Sequence, residues 1–184
     1  PWISSTVRHD YLDDPSSRNA LLRYNYENLF IMKWGYQLHL SSQPINGPQG
    51  SYGTNAWVLR TGVETAGNLL DGVTHALGTS KNSEGQYTIF NVAYAQYVKG
   101  DIDFTKSFRF SPTNSLAVHA GLGIAFPYGN GTILPYEKRY FSGGANSVRG
   151  WSVSELGPGT FKGSDGRVDF INQTGDMKLD LNVE

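Results

Sequence analysis

The chain has 184 residues, a formal net charge of −1, a pI near 6.5 and no cysteine. That excludes an electrostatic footing for nucleic-acid binding, and with it any disulfide framework, cysteine-ligated zinc or thiol nucleophile. No run approaches the ~18 apolar residues of a spanning helix, whereas 13% aromatics and 22 glycines suit the girdles and small lumen-facing positions of a membrane β-barrel.

In chain order, residues 1–29 read as a long loop with helical potential. Asp14 suits an N-cap and Pro15 the first helical position; Ala20 to Phe30 can continue the helix, although Tyr24 and Tyr26 suit a strand equally well. A strand is expected near 31–41, with Met32, Trp34, Tyr36, Leu38 and Leu40 opposite Lys33, Gly35, Gln37, His39 and Ser41. After a turn carrying Pro44, Gly47, Pro48 and Gly50, a second strand near 53–66 sets Trp57, Leu59, Thr61 and Val63 against Ala56, Val58, Arg60, Gly62 and Glu64. Residues 67–92 read as a long loop, with Asp71-Gly72 as a turn dipeptide.

A third strand near 94–110 opposes Val98, Ile102, Phe104, Phe108 and Phe110 to Lys99, Asp101, Asp103, Thr105, Ser107 and Arg109; Lys106 interrupts the apolar side, as a snorkelling cation can at a membrane boundary. Ser111-Pro112-Thr113-Asn114 is a tight turn. A fourth strand near 115–127 has Leu116, Val118, Ala120, Leu122, Ile124 and Phe126 on one face. Its other face, Ala117, His119, Gly121, Gly123 and Ala125, is nearly bare, which invites a bulky occupant. The following loop with its Arg149 is the expected one. Residues 128–174 form that loop, and a last strand near 175–184 alternates Asp176, Lys178, Asp180, Asn182 and Glu184 with Met177, Leu179, Leu181 and Val183.

Runs this long match the ~9–11 residues of a tilted membrane strand better than the ~5–6 of a soluble one. Short turns alternating with long loops add to the pattern. The expected fold class is all-β: part of an antiparallel transmembrane β-barrel, with about five long strands and long extracellular loops. Five such strands cannot close a barrel, and the alternation is still running at Glu184, so a piece of a larger protein is expected.

Within the long loop lies Phe141-Ser142-Gly143-Gly144-Ala145-Asn146-Ser147-Val148-Arg149-Gly150-Trp151. It is built to fold tightly and present one cation, and its Phe141, Val148 and Trp151 call for a place to be buried. The stretch Leu134 to Trp151 resembles the signature of the BamA/TamA outer-membrane assembly superfamily, a Phe-x-Gly-Gly run followed by Val-Arg-Gly-aromatic. Leu156-Gly157-Pro158-Gly159, Thr174-Gly175-Asp176, Glu64-Thr65-Ala66-Gly67-Asn68 and Tyr128-Gly129-Asn130 are most similar to TamL-type members.

The resemblance implies a barrel of about sixteen strands behind periplasmic POTRA domains, which are absent from this sequence. It also implies that the signature loop folds back into the lumen. Arg149 would then be the arginine that contacts acidic and aromatic residues of the next strands, Gly150 the close-approach glycine, and Trp151 the aromatic usually seen as Phe or Tyr. The acidic partner implied on the following strand would lie beyond Glu184. A guanidinium inside a barrel needs counter-charges, and Glu137, Asp101, Asp103, Asp176, Asp180 and Glu184 are candidates.

The implied function is non-enzymatic: an outer-membrane protein assembly, insertion or translocation factor, located in the bacterial outer membrane. Its implied partners are lipid, unfolded outer-membrane proteins and a TamB-like periplasmic protein, with no cofactor. The implied mechanism is strand addition at a seam between the first and last barrel strands. His39 and His119 lie too far apart in sequence to suggest a metal site, and Gly157-Pro158-Gly159 lacks the lysine and helix of a phosphate cradle. Two rivals stay open: an export pore on the same fold, and a soluble β-sandwich that binds carbohydrate through surface Trp and Tyr.

Overall fold

The computed structural model describes residues 28–42, 56–83, 85–111, 113–145, 147–156 and 174–184. Expectations for 1–27, including the helix start at Asp14 and Pro15, lie outside the described residues, as do those for the turn from 43 to 52, for positions 53–55 of the second strand and for Gly157-Pro158-Gly159. The elements are β1 (Leu29–Phe30), β2 (Lys33–Ser41), β3 (Trp57–Ala66), α1 (Asn68–Ala76), β4 (Thr88–Ile89), β5 (Val92–Tyr94), β6 (Tyr97–Arg109), β7 (Ser115–Pro127), a 3₁₀ turn (Tyr136–Lys138) and β8 (Met177–Val183).

Five strands form one antiparallel sheet in the order β2-β3-β6-β7-β8. The register lines up apolar rows across it. Trp34, Thr65, Val98 and Phe126 make one; Leu38, Thr61, Ile102, Leu122 and Leu179 another; Leu40, Leu59, Phe104, Ala120 and Leu181 a third. These rows are open: Trp34, Ile102, Leu179 and Leu181 are all exposed. Among the described residues no second sheet packs on them, so the soluble-sandwich rival lacks its second layer.

The band is the right height for lipid. Along β3 the run from Thr65 to Trp57 covers about 26 Å. At a tilt of about 40° this becomes roughly 20 Å, close to the ~25 Å apolar belt of an outer-membrane barrel.

The opposite face carries the polar rows: Gly35, Glu64, Lys99 and Ala125; Gln37, Gly62, Asp101, Gly123 and Lys178; His39, Arg60, Asp103, Gly121 and Asp180. At one end β6 and β7 are joined by a tight turn, where the N–H groups of Phe110 and Ser111 both donate to the Asn114 carbonyl (3.1 and 3.2 Å).

At the other end the long connections pack onto one another and form the small core. Ala66, Ala95, Tyr97, Ala125 and Leu134 are buried there, with Ile31 and Tyr140 against them. Asn130 ties the connections together. Its side-chain oxygen accepts the Tyr87 N–H (2.6 Å), its amide donates to the carbonyls of Tyr87 and Tyr94 (both 3.0 Å), and its own N–H donates to Gln96 Oε1 (2.9 Å).

Three expectations are corrected here. Leu29–Phe30 is a strand pairing in parallel with β5, so a helix does not extend to Phe30. Residues 67–92, expected as a long loop, contain α1 and the β4–β5 hairpin, and Asp71-Gly72 lies inside the helix rather than in a turn. Leu70 and Thr74 are the buried face of α1, one helical turn apart, and Asp71 Oδ1 accepts the Tyr94 hydroxyl (3.2 Å). Finally, the strand expected near 94–110 starts at Tyr97; Tyr94 belongs to the small sheet, and the Gln96 carbonyl between them accepts the Tyr128 N–H (3.0 Å).

Candidate functional site: the lumen loop

The long connection after β7 turns back over the polar face and runs down β8, touching the sheet at three levels. At the top, Tyr140 and Gly175 exchange both main-chain hydrogen bonds (2.8 Å each). The Tyr140 ring lies in the notch that Gly123 leaves in β7: a Cβ there would stand 2.5 Å from two ring carbons. Its hydroxyl donates to Asp101 Oδ1 (2.6 Å), and Lys99 Nζ stands 4.0 Å from the ring centroid. Burial, and then the neighbouring Asp101 carboxylate, push the Tyr140 phenol above the ordinary tyrosine range.

Beside it, Glu64 collects three donors: the Tyr97 hydroxyl (2.6 Å), Lys33 Nζ (2.7 Å) and Lys138 Nζ (2.9 Å). Lys138 comes from the loop and Glu64 from β3, so this cluster clamps the loop's base to the wall. Burial and the nearby Lys33 ammonium lower the Lys138 pKa.

Below the base the loop forms a narrow hairpin. Gly143 and Gly144 have φ of 96° and 91°, and a side chain on Gly143 would collide with the Ser152 carbonyl. The Gly144 N–H donates to the Trp151 carbonyl (2.8 Å), and the Trp151 N–H donates to that of Val148 (3.2 Å). Arg149 and Gly150 are therefore the central residues of the tip turn. Midway down, Ser147 Oγ donates to Asp180 (3.3 Å), which also accepts Lys178 Nζ (2.8 Å). At the tip, Arg149 meets Glu184 Oε1 at 2.6 Å. Glu184 exchanges main-chain hydrogen bonds with Ala117, near the short-turn end of β7. The loop thus follows the inner face from one end of the sheet almost to the other.

The structure treats the expected residues differently. Of the six carboxylates, Glu184 pairs with Arg149. Asp180 holds Ser147, and Asp101 holds Tyr140. Asp103 binds His119 Nε2 (2.6 Å) instead of the loop. Asp176 contributes its carbonyl to the Ala125 N–H (2.8 Å), and Glu137 is exposed.

The bare face of β7 does have an occupant from the loop, and at Gly123 it is Tyr140. Among the described residues a Cβ on Gly150 would meet nothing within 4 Å, while Gly143 and Gly144 lie close to the Ser152 carbonyl and the Val153 side chain. Within this stretch Phe141, Val148 and Trp151 are about half exposed. Sequence reasoning passed over Glu64, Lys138 and Tyr140 as site residues. Glu64 could have been found from its place on the inward face of its strand.

An exposed apolar face, a polar inner face and a cationic loop lying along that inner face define a stretch of outer-membrane β-barrel wall. Residues 16–184 match the Omp85 superfamily domain, and the chain belongs to that superfamily. It is a protein of the bacterial outer membrane. It is similar to the outer membrane protein assembly factor BamA of Neisseria meningitidis serogroup B, 27% identical over 158 residues, 84% of this chain. The chain spans 18% of the length of that relative.

Proposed function

We propose that this chain is part of the barrel of a non-enzymatic factor that assembles, inserts or translocates outer-membrane proteins, within the superfamily a TamL-type member. The observation that carries the reading is the loop laid down the inner face of β8, from the Tyr140–Gly175 pair to the Arg149–Glu184 ion pair. A wall that only had to separate lipid from water would not need a loop along its whole inner length. This wall holds the loop in place, while client strands add at a seam elsewhere in the barrel by main-chain pairing. Lipid contacts the apolar rows, the clients are unfolded outer-membrane proteins, and a TamB-like protein is the periplasmic partner.

The test replaces wild-type full-length protein in cells with the Arg149→Ala form. Fewer folded, heat-modifiable outer-membrane barrels are expected. Normal barrel levels, with the protein itself folded as before, would overturn the proposal.

A further inference from the structure

The loop's two ends are held very differently. At the tip, Arg149 and Glu184 make one ion pair of 2.6 Å. At the base, Tyr140 is held by its main-chain exchange with Gly175, by the Asp101 carboxylate, by the Lys99 ammonium over its ring and by the Gly123 notch. Two residues earlier Lys138 is clamped on Glu64.

We infer that Tyr140 in the Gly123 notch is the positioning residue of the loop: a fixed pivot that sets where the Arg149 tip meets β8. The notch is specific to glycine. The carbon–carbon contact distance is about 3.5 Å, so a methyl group 2.5 Å from the ring carbons drives the ring out. The ring cannot yield by turning, because its residue is hydrogen-bonded to Gly175 on the main chain and to Asp101 through its tip. Function enters only through the proposal that the loop works from inside the barrel; the pivot is a property of the wall.

Two reporters in the full-length membrane-embedded protein separate base from tip. The tip reporter, two residues before Arg149, is the disulfide yield of a Ser147→Cys/Asp180→Cys pair; these 184 residues add no other cysteine, and any elsewhere in the full-length protein are replaced first. The base reporter is hydrogen exchange at the Tyr140 and Gly175 amides. Arg149→Ala should cut tip cross-linking about fivefold and leave base exchange unchanged. Tyr140→Ala and Gly123→Ala should speed base exchange about tenfold and lower tip cross-linking too.

Tyr140→Phe keeps the ring in its notch and should rescue base protection to within about threefold of wild type. Should Gly123→Ala fail to fold, Tyr140→Ala decides, because it only removes atoms. Base amides still protected in Tyr140→Ala, or released together with the tip in Arg149→Ala, would overturn the pivot. Neither reporter reads assembly activity, so the pivot and the proposed function fail separately.

Discussion

Removing the Glu64 carboxylate should cost the protein more than removing Arg149, although the sequence draws attention to the arginine. In Glu64→Ala the Tyr97 hydroxyl loses its acceptor, and Tyr97 is fully buried. An orphaned buried hydroxyl costs about 1–3 kcal/mol. Lys138, whose side chain is 18% exposed, loses a charge-assisted bond worth about 1–2 kcal/mol. Lys33, at 47%, loses at most about 1 kcal/mol after solvent screening.

Because the three donors share one acceptor, their losses overlap, and a total of about 3 kcal/mol is expected. Glu64→Gln keeps an acceptor for Tyr97 and should cost about half of that. The Arg149–Glu184 pair is mostly exposed, so Arg149→Ala should cost about 1 kcal/mol or less. Urea unfolding of the full-length protein in lipid vesicles, followed by tryptophan fluorescence, measures all three. A Glu64→Ala protein within about 0.5 kcal/mol of wild type, or one more stable than Arg149→Ala, would refute the reasoning.

The same assay should show Leu179→Arg, in a middle apolar row, losing about 2–4 kcal/mol, against about 0–1 for Val183→Lys near the short-turn edge; equal costs would contradict the assignment of that face to lipid. Asn130→Ala strands the Tyr87 N–H and two carbonyls in a buried site and should cost about 2–4 kcal/mol. Protease added to intact cells should then cut within residues 78–91 faster than it cuts the wild type. Raising the pH tests Tyr140. Its folded pKa lies above the unfolded value of about 10, so its stabilisation is whole below that pH and is lost as pH rises through the folded value. The stability gap between wild type and Tyr140→Phe should therefore be constant near neutrality and narrow above about pH 10.

Alternation of side chains is a local property, and it carried the long strands a great distance. The rows Leu38 to Leu179 and Gln37 to Lys178 differ in polarity because each strand has its own two-residue period, readable without knowing its neighbours. The helix was missed: Asp71-Gly72 reads as a turn, and the one-turn spacing of Leu70 and Thr74 shows its meaning only once both are seen buried.

What the loop touches was not legible. Alternation marks Asp101, Asp103, Asp180 and Glu184 alike as inward. Only the register between strands and the path of the loop decide that Tyr140 reaches the first, His119 the second, Ser147 the third and Arg149 the last. The pairing of Glu64 with Lys138 joins positions 74 residues apart. Polarity can be read one residue at a time, whereas a contact depends on where two distant backbones are brought together, and that is settled by the packing of the whole sheet and its loops.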